Sequence, residues 1–149
     1  MNNFKLTVDL VPKSSWFSNV RSAVSAKQWK DISSIFFKKS NYLCEICGGK
    51  GKKHPVECHE IWNYDDNLLI QKLEGMIALC PDCHMVKHIG LAQVHGKFNK
   101  AIRHFTKINN CSKKVAEEYI ADSFKLWAIR SDKKWTLDLS YLSGFNIKL

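Results

Sequence analysis

The sequence lacks several features that would assign it to a membrane-bound or multidomain class. No apolar run approaches the roughly 20 residues that a membrane-spanning helix needs, and the start at Met1 and Asn2 does not lead into a secretory signal. Internal repeats, low-complexity tracts and a clear interdomain linker are also missing. We therefore expect a single domain over residues 1–149, located in the cytoplasm and without a membrane partner.

Acidic residues are scarce relative to basic ones. The chain has 14 Asp and Glu against 23 Lys and Arg, which gives a formal net charge of +9 and a pI near 9.3. A positive excess of this kind favours polyanionic partners, of which nucleic acid is the commonest. On charge alone, a protein that is merely basic is an equally good interpretation.

Cysteine, by contrast, is plentiful and occurs in a specific pattern. Four of the six cysteines form two C-x-x-C pairs, namely Cys44, Cys47, Cys80 and Cys83. Two such pairs a few dozen residues apart predict a tetrahedral structural Zn²⁺ site. A disulfide scaffold is the alternative, but the absence of a signal sequence favours reduced thiols. Cys58 and Cys111 lie outside the pattern.

Alternating and helical spacings predict an α+β protein. Alternation over Phe4–Leu10 and again over Trp135–Leu139 predicts two short terminal strands that could pair. A helical pattern covers residues 25–40, and one apolar stripe from Leu91 to Ile108 predicts a further helix with a largely basic opposite face. A last helix begins after Ser112, a suitable N-cap residue.

A hairpin and a helix are predicted between the two cysteine pairs. Residues 55–61 and 76–79 have strand character, with the turn residues Asp65, Asp66 and Asn67 between them, and a helix starts at Cys83. His84 and His88 are four residues apart on that helix, so both rings can face one metal ion. His59 lies on the first strand, which the cysteine pairs bring alongside. The pattern predicts a second metal site, separate from the four thiolates.

Residues 29–90 resemble the HNH (ββα-metal) endonucleases, in particular the subgroup with flanking C-x-x-C zinc knuckles. The matching segments are Tyr42-Leu43-Cys44-Glu45-Ile46-Cys47-Gly48, Val56-Glu57-Cys58-His59-Glu60-Ile61 and Leu79-Cys80-Pro81-Asp82-Cys83-His84-Met85-Val86-Lys87-His88. The resemblance implies an α+β fold with a zinc-stapled ββα-metal core, to which the short terminal strands and a helical extension over about 91–130 are added. It does not extend to those flanking parts.

The resemblance also implies the roles of individual residues. His84 and His88 match the helix ligands of a catalytic divalent ion, which could be Mg²⁺, Mn²⁺, Ni²⁺ or Zn²⁺. Aligning Ile61 with the family's aliphatic position makes His59 a metal ligand and puts Glu60 at the position of the general-base histidine. A register shifted by one residue would make His59 the base and Cys58 a ligand. The asparagine that the family carries before the second knuckle is replaced by Gly75.

Three functions are compatible with these motifs. The leading one is a metal-dependent nuclease that hydrolyses phosphodiester bonds in DNA, with His59, Glu60, His84 and His88 as catalytic residues. The second is a catalytically inactive zinc module that binds nucleic acid or protein. A zinc deaminase is less consistent, because Pro81 follows its cysteine where that motif has proline before it, and because Cys44 and Cys47 would be unused. A homodimer or an additional subunit is left open.

Overall fold

A long β-hairpin is the central element of the computed structural model, which describes residues 3–146. Within these residues the helices are α1 (Val20–Ala23), α2 (Ala26–Lys39), α3 (Pro81–Lys87), α4 (Ile89–Val94), α5 (Phe98–Asn109) and α6 (Lys113–Ser131). The strands are β1 (Glu57–Asp65), β2 (Ile70–Leu79) and β3 (Thr136–Asp138), and short 3-10 helices cover Lys13–Ser15 and Ser140–Phe145. The predicted α+β class is confirmed.

The sheet of residues 3–146 has three strands in the order β1-β2-β3. β1 and β2 are antiparallel, and their register shifts between Ile61 and Trp62. β3 pairs with β2 in parallel, with Thr136 opposite Ile70. The strand that the Trp135–Leu139 pattern predicts is therefore present, but it joins the hairpin and not the N-terminal segment.

The helix starts follow from local capping chemistry. Ser25 caps α2, where its side chain accepts a hydrogen bond from the Gln28 N–H and the Gln28 side chain returns one. Ser112 caps α6 in the predicted way, by accepting from the Val115 N–H at 3.2 Å. Because these caps satisfy backbone N–H groups that have no partner within the helix, they define where α2 and α6 begin.

Two hydrophobic clusters hold the hairpin between helices. The larger cluster packs α3, α5 and α6 together and includes the fully buried Phe105 and Leu79. The second packs α2 against the hairpin through residues such as Ile32, Phe36 and Leu73. Burial on both sides fixes the strand register, since a slip by one residue would turn every side chain to the wrong face.

The predicted N-terminal strand does not form. Residues 7–10 have no strand partner and residues 5 and 6 form a bend; the backbone of this segment bonds to helix side chains and to the Lys87 carbonyl. The Leu6 N–H donates to Asn109 Oδ1 at 2.9 Å, and the Val8 N–H donates to the Tyr119 hydroxyl at 3.1 Å. The alternating pattern was correct about burial, since Leu6 and Val8 enter the larger core, but burial of alternate residues does not require a sheet.

The single predicted helix from Leu91 to Ile108 is two helices. α4 ends before Gly96, which has a positive φ of 69°, and α5 starts at Phe98. Glycine adopts this left-handed conformation without the steric cost that a side chain would add. Leu91 and Val94 are consequently 56% and 79% exposed, outside the stripe that they were expected to extend. Across residues 3–146, no helix has the length and apolarity needed to cross a membrane.

Candidate metal centres

The four paired cysteines meet at the base of the hairpin. Cys44 and Cys47 precede β1, whereas Cys80 follows β2 as the N-cap of α3 and Cys83 lies in the first turn of that helix. Their Sγ atoms all lie within 4.8 Å of one another, and three of the four residues are buried. The sequence-predicted thiol cluster is thus assembled by elements more than 30 residues apart in sequence.

The geometry of the cluster fits a tetrahedral metal such as zinc. A Zn–S bond of about 2.3 Å places sulfurs about 3.8 Å apart, and Cys47 Sγ is 3.6 Å from Cys80 Sγ. Backbone N–H groups of Cys47, Gly49 and Cys83 donate to the sulfurs of Cys44, Cys47 and Cys80 at 3.4 to 3.5 Å. Such donors stabilise thiolates, which are the form that binds metal.

His104 on α5 is an additional neighbour of this cluster. Its Nε2 is 3.2 Å from Cys83 Sγ, a contact that ties α5 to the first turn of α3. The hydrogen bond that Cys44 shares with Cys83 lowers the pKa of the Cys44 thiol to about 4. The arrangement of the cluster therefore favours the thiolate form at Cys44.

The three predicted histidine ligands form a second cluster. His59 on β1, His84 on α3 and His88, directly after α3, each offer a ring nitrogen within 4.8 Å of the others. His84 Nε2 and His88 Nε2 are 3.0 Å apart. Two nitrogens bound to one ion at about 2.0–2.1 Å would be about 2.9 Å apart in an octahedral site and about 3.3 Å apart in a tetrahedral one. The imidazole arrangement fits a single divalent cation.

Carboxylates contact two of the three rings. Glu57 Oε2 is 2.5 Å from His84 Nδ1, and Asp9 Oδ2 is 2.7 Å from His59 Nε2. Burial acts to raise the pKa of both carboxyl groups, but the histidine hydrogen bonds and the neighbouring positive charges together outweigh it, and both pKa values are lowered. Ionised carboxylates that accept a ring N–H fix the tautomer of an imidazole and leave the other nitrogen free for a metal.

His84 and His88 both have a lowered pKa, which favours the neutral ring at physiological pH. Burial, together with repulsion from His84 and His59, lowers the pKa of His88 to about 4. Burial also lowers the pKa of His84, and the bond to Glu57 opposes this effect. A neutral imidazole keeps the lone pair that metal coordination requires. Both residues are therefore in the protonation state suited to a metal ligand.

Glu60, which the sequence placed at the general-base position, is not brought to the histidine cluster. Its Oε1 accepts a hydrogen bond from the Val20 N–H at 2.9 Å, at the start of α1. Consecutive strand side chains point to opposite faces, so Glu60 faces away from the side that His59 occupies. Cys58 shares the Glu60 face and contacts Met76 Sδ at 3.8 Å, which removes the metal ligand that the shifted register needed.

Glu57, Asp9 and His104 are contacts that the sequence patterns did not identify. Glu57 could have been found, because it lies two residues before His59 on β1 and so shares its face. Asp9 and His104 have no such local signal, since they are 50 and 21 residues from the side chains that they contact. Their placement depends on how the N-terminal segment and α5 pack on α3.

Comparison with known proteins adds no family assignment. No protein-family model, curated protein or solved structure matches this chain. The functional argument consequently depends on the two clusters and their surroundings.

Proposed function

We propose that this protein is a metal-dependent endonuclease of the HNH type, which hydrolyses phosphodiester bonds in DNA. The observation that carries the proposal is the convergence of His59, His84 and His88 on one position beside a four-cysteine cluster. The element order β1, β2, α3, with the histidines on the first strand and the helix, is the order that a ββα-metal core requires. The net charge of +9 suits a polyanionic substrate.

In the proposed enzyme the two clusters have different tasks. The four cysteines hold a structural zinc, which ties the chain before β1 to the start of α3 and stabilises a hairpin that would be marginal alone. His59, His84 and His88 would hold a divalent ion, with three protein ligands as in catalytic metal sites. When bound, such an ion neutralises charge on the phosphate and acidifies a water molecule.

The side chains around the histidines prepare this site. Glu57 and Asp9 orient the rings of His84 and His59, and the low pKa of His88 keeps its ring neutral and able to coordinate. Glu60 has no part in this arrangement, because its carboxylate is engaged by α1. The base function that the family resemblance gave to position 60 is therefore not included in the proposal.

A catalytically inactive zinc module that binds nucleic acid is the second candidate. The orientation of Glu60 favours it, because the residue aligned with the family's general base faces away from the histidine cluster. In that case the histidines hold a second structural ion. The two candidates share the fold and both clusters, so only an activity measurement separates them.

The deciding experiment is plasmid cleavage with matched histidine variants. Purified protein is incubated with supercoiled plasmid and Mg²⁺, Mn²⁺ or Ni²⁺, alongside His84→Ala and the control His95→Ala, whose exposed side chain lies outside the cluster. Nicking by the native protein and by His95→Ala, but not by His84→Ala, supports the nuclease. Intact plasmid with every metal, from protein that retains its zinc, supports the binding module.

A further inference from the structure

We propose that Asp9, in the N-terminal segment, is a positioning residue that holds His59 ready for metal binding. This inference rests on the metal site of the proposed nuclease and adds a residue from outside the hairpin and α3. Asp9 and His59 are 50 positions apart in sequence, and a 2.7 Å contact joins them. The segment before α1 therefore becomes part of the metal site.

The Asp9 contact determines which nitrogen of His59 can bind a metal. The His59 side chain is 4% exposed, so bulk water cannot supply an alternative partner for its ring. With Nε2–H donated to Asp9 Oδ2, the lone pair of the neutral ring is on Nδ1. Without an acceptor at this position, either tautomer is available and the ring is free to rotate. A carboxylate on the distal nitrogen also increases the basicity of the coordinating one.

Backbone and side-chain hydrogen bonds hold Asp9 firmly in place. Its own N–H donates to the Lys87 carbonyl at 2.9 Å, directly beside His88. Upstream, Leu6 exchanges two hydrogen bonds with the Asn109 side chain, at 2.9 and 2.8 Å, and is itself fully buried. These bonds tie the segment to α3 and α5. The carboxylate is thus delivered by ordered backbone rather than by a mobile tail.

Lys87 helps to orient the Asp9 carboxylate. Its Nζ lies 3.3 Å from Asp9 Oδ2 and donates to Thr7 Oγ1 at 2.8 Å. The lysine side chain is 11% exposed, so its charge needs a nearby counterion. Asp9 supplies that counterion and accepts from His59 with the same oxygen. Lys87, Asp9 and His59 thus form a connected network. The Asp9 carboxylate both balances the charge of Lys87 and orients His59.

Glu57, on β1 of the hairpin, contacts His84 as Asp9 contacts His59. Glu57 contacts His84 Nδ1, which leaves Nε2 facing His88 Nε2 at 3.0 Å. Two of the three rings thus have one nitrogen held by a carboxylate, which leaves the other nitrogen for a metal. A plain Lys87–Asp9 ion pair would not require the Asp9 oxygen to lie against His59. This repeated pattern indicates that the contact serves metal binding.

Metal affinity of the 149-residue protein, prepared with zinc at its cysteine cluster, tests the role of Asp9. Isothermal titration with Co²⁺ measures binding at the histidine cluster for the native protein, Asp9→Asn and the control Thr7→Val. Thr7 contacts Lys87 in the same segment, but it does not contact His59. We expect Asp9→Asn to weaken Co²⁺ binding about 10–100-fold, the usual effect of removing such a partner, and Thr7→Val to leave it unchanged.

A double variant and a spectroscopic signature separate positioning from folding. Because Asp9→Asn leaves Lys87 unpaired, Asp9→Asn combined with Lys87→Met removes both charges and restores a well-packed segment. The same loss of Co²⁺ affinity is expected. In ¹⁵N spectra of the metal-free imidazoles, His59 of the native protein is expected as a single Nε2–H tautomer, and both Asp9 variants as a mixture.

The possible outcomes distinguish this inference from the nuclease proposal. Native affinity in Asp9→Asn, or an equal loss in Thr7→Val, would overturn the role of Asp9. A native protein that takes up no Co²⁺ beyond its structural zinc would overturn both proposals. Native protein that binds Co²⁺ but leaves plasmid intact contradicts the nuclease alone, while the difference in affinity continues to support Asp9.

Discussion

His59 and Glu60 are neighbours on β1, yet their side chains have partners on opposite sides of the hairpin. His59 Nε2 is 2.7 Å from Asp9 Oδ2, whereas Glu60 Oε1 accepts from the Val20 N–H at 2.9 Å. Burial raises the pKa of Glu60, although the backbone donors of Val20 and Arg21 partly oppose this effect. In this environment the carboxylate caps α1 rather than serving the histidine cluster.

We therefore expect Glu60→Gln to retain the proposed nuclease activity. The glutamine amide oxygen can accept the same backbone hydrogen bond, and a neutral group avoids the desolvation that raises the pKa of Glu60. The variant should be at least as stable as the native protein at pH 7, by thermal unfolding, and should nick plasmid at a similar rate. A folded Glu60→Gln protein without activity would return Glu60 to the role of general base.

Removal of one cysteine ligand should abolish cooperative folding. The apparent free energy of zinc binding, about 10–16 kcal/mol, equals or exceeds a typical domain stability of about 5–15 kcal/mol. We expect Cys44→Ser to lose the proposed structural zinc and its sharp unfolding transition. Cys111→Ser is the matched control, because Cys111 lies outside the cluster.

Metal analysis and circular dichroism during heating check this prediction. One zinc fewer per chain in Cys44→Ser, but not in Cys111→Ser, is the expected result. Cooperative unfolding of a zinc-free Cys44→Ser protein at the native temperature would show that the cluster does not support the fold.

Without added divalent metal, the protein should lose stability as the pH falls below 6.5. The pKa of His88 is about 4 in the folded protein and near 6.5 when unfolded, so the unfolded chain binds more protons between these values. The stability that depends on a neutral His88 is fully present above pH 6.5, and it is lost progressively as the pH falls towards 4. From pH 7 to 5.5 we expect a loss of about 1 kcal/mol from this residue.

Urea unfolding of the native protein and His88→Gln at the two pH values measures this contribution. The glutamine variant should lose less stability on acidification, because residue 88 then takes up no proton on unfolding. The loss that remains comes in part from His84, whose pKa is also lowered. Identical losses in the two proteins would contradict a buried, neutral His88.

The basic face of α5 should contribute phosphate contacts. Lys100, Arg103 and Lys107 on α5 are exposed, as is its N-cap residue Lys97, and α5 packs beside the first turn of α3 through His104 and Cys83. For the double variant Arg103→Gln with Lys107→Gln, we expect weaker DNA binding, with the salt slope of log K reduced by about 2. The control, Lys27→Gln with Lys30→Gln on α2, removes the same charge elsewhere.

Fluorescence anisotropy of a labelled duplex at several salt concentrations gives both slopes. Equal reductions in the two double variants would indicate an effect of net charge, without a specific role for α5.

The parts of the fold that were predicted correctly are governed by local spacing. Helical periodicity and a serine cap identified α2, and alternation with turn residues identified the hairpin of β1 and β2. Predictions failed where hydrogen-bond partners are distant in sequence, or where the backbone conformation of one residue decides whether a helix continues. Residues 4–10 alternate but bond to helix side chains, and the left-handed Gly96 divides one apolar stripe into α4 and α5.

The sequence by itself determined which residues can bind metal, because C-x-x-C spacing and an i, i+4 histidine pair place ligands together within one turn or helix face. Tertiary structure decided the rest. It brought Asp9 to His59 across 50 residues and turned Glu60 towards α1, because packing of the N-terminal segment and α1 against opposite sides of the hairpin selects which partner each strand face meets. Contacts of this kind arise from packing between segments that are distant in sequence, so the local spacing of residues does not predict them.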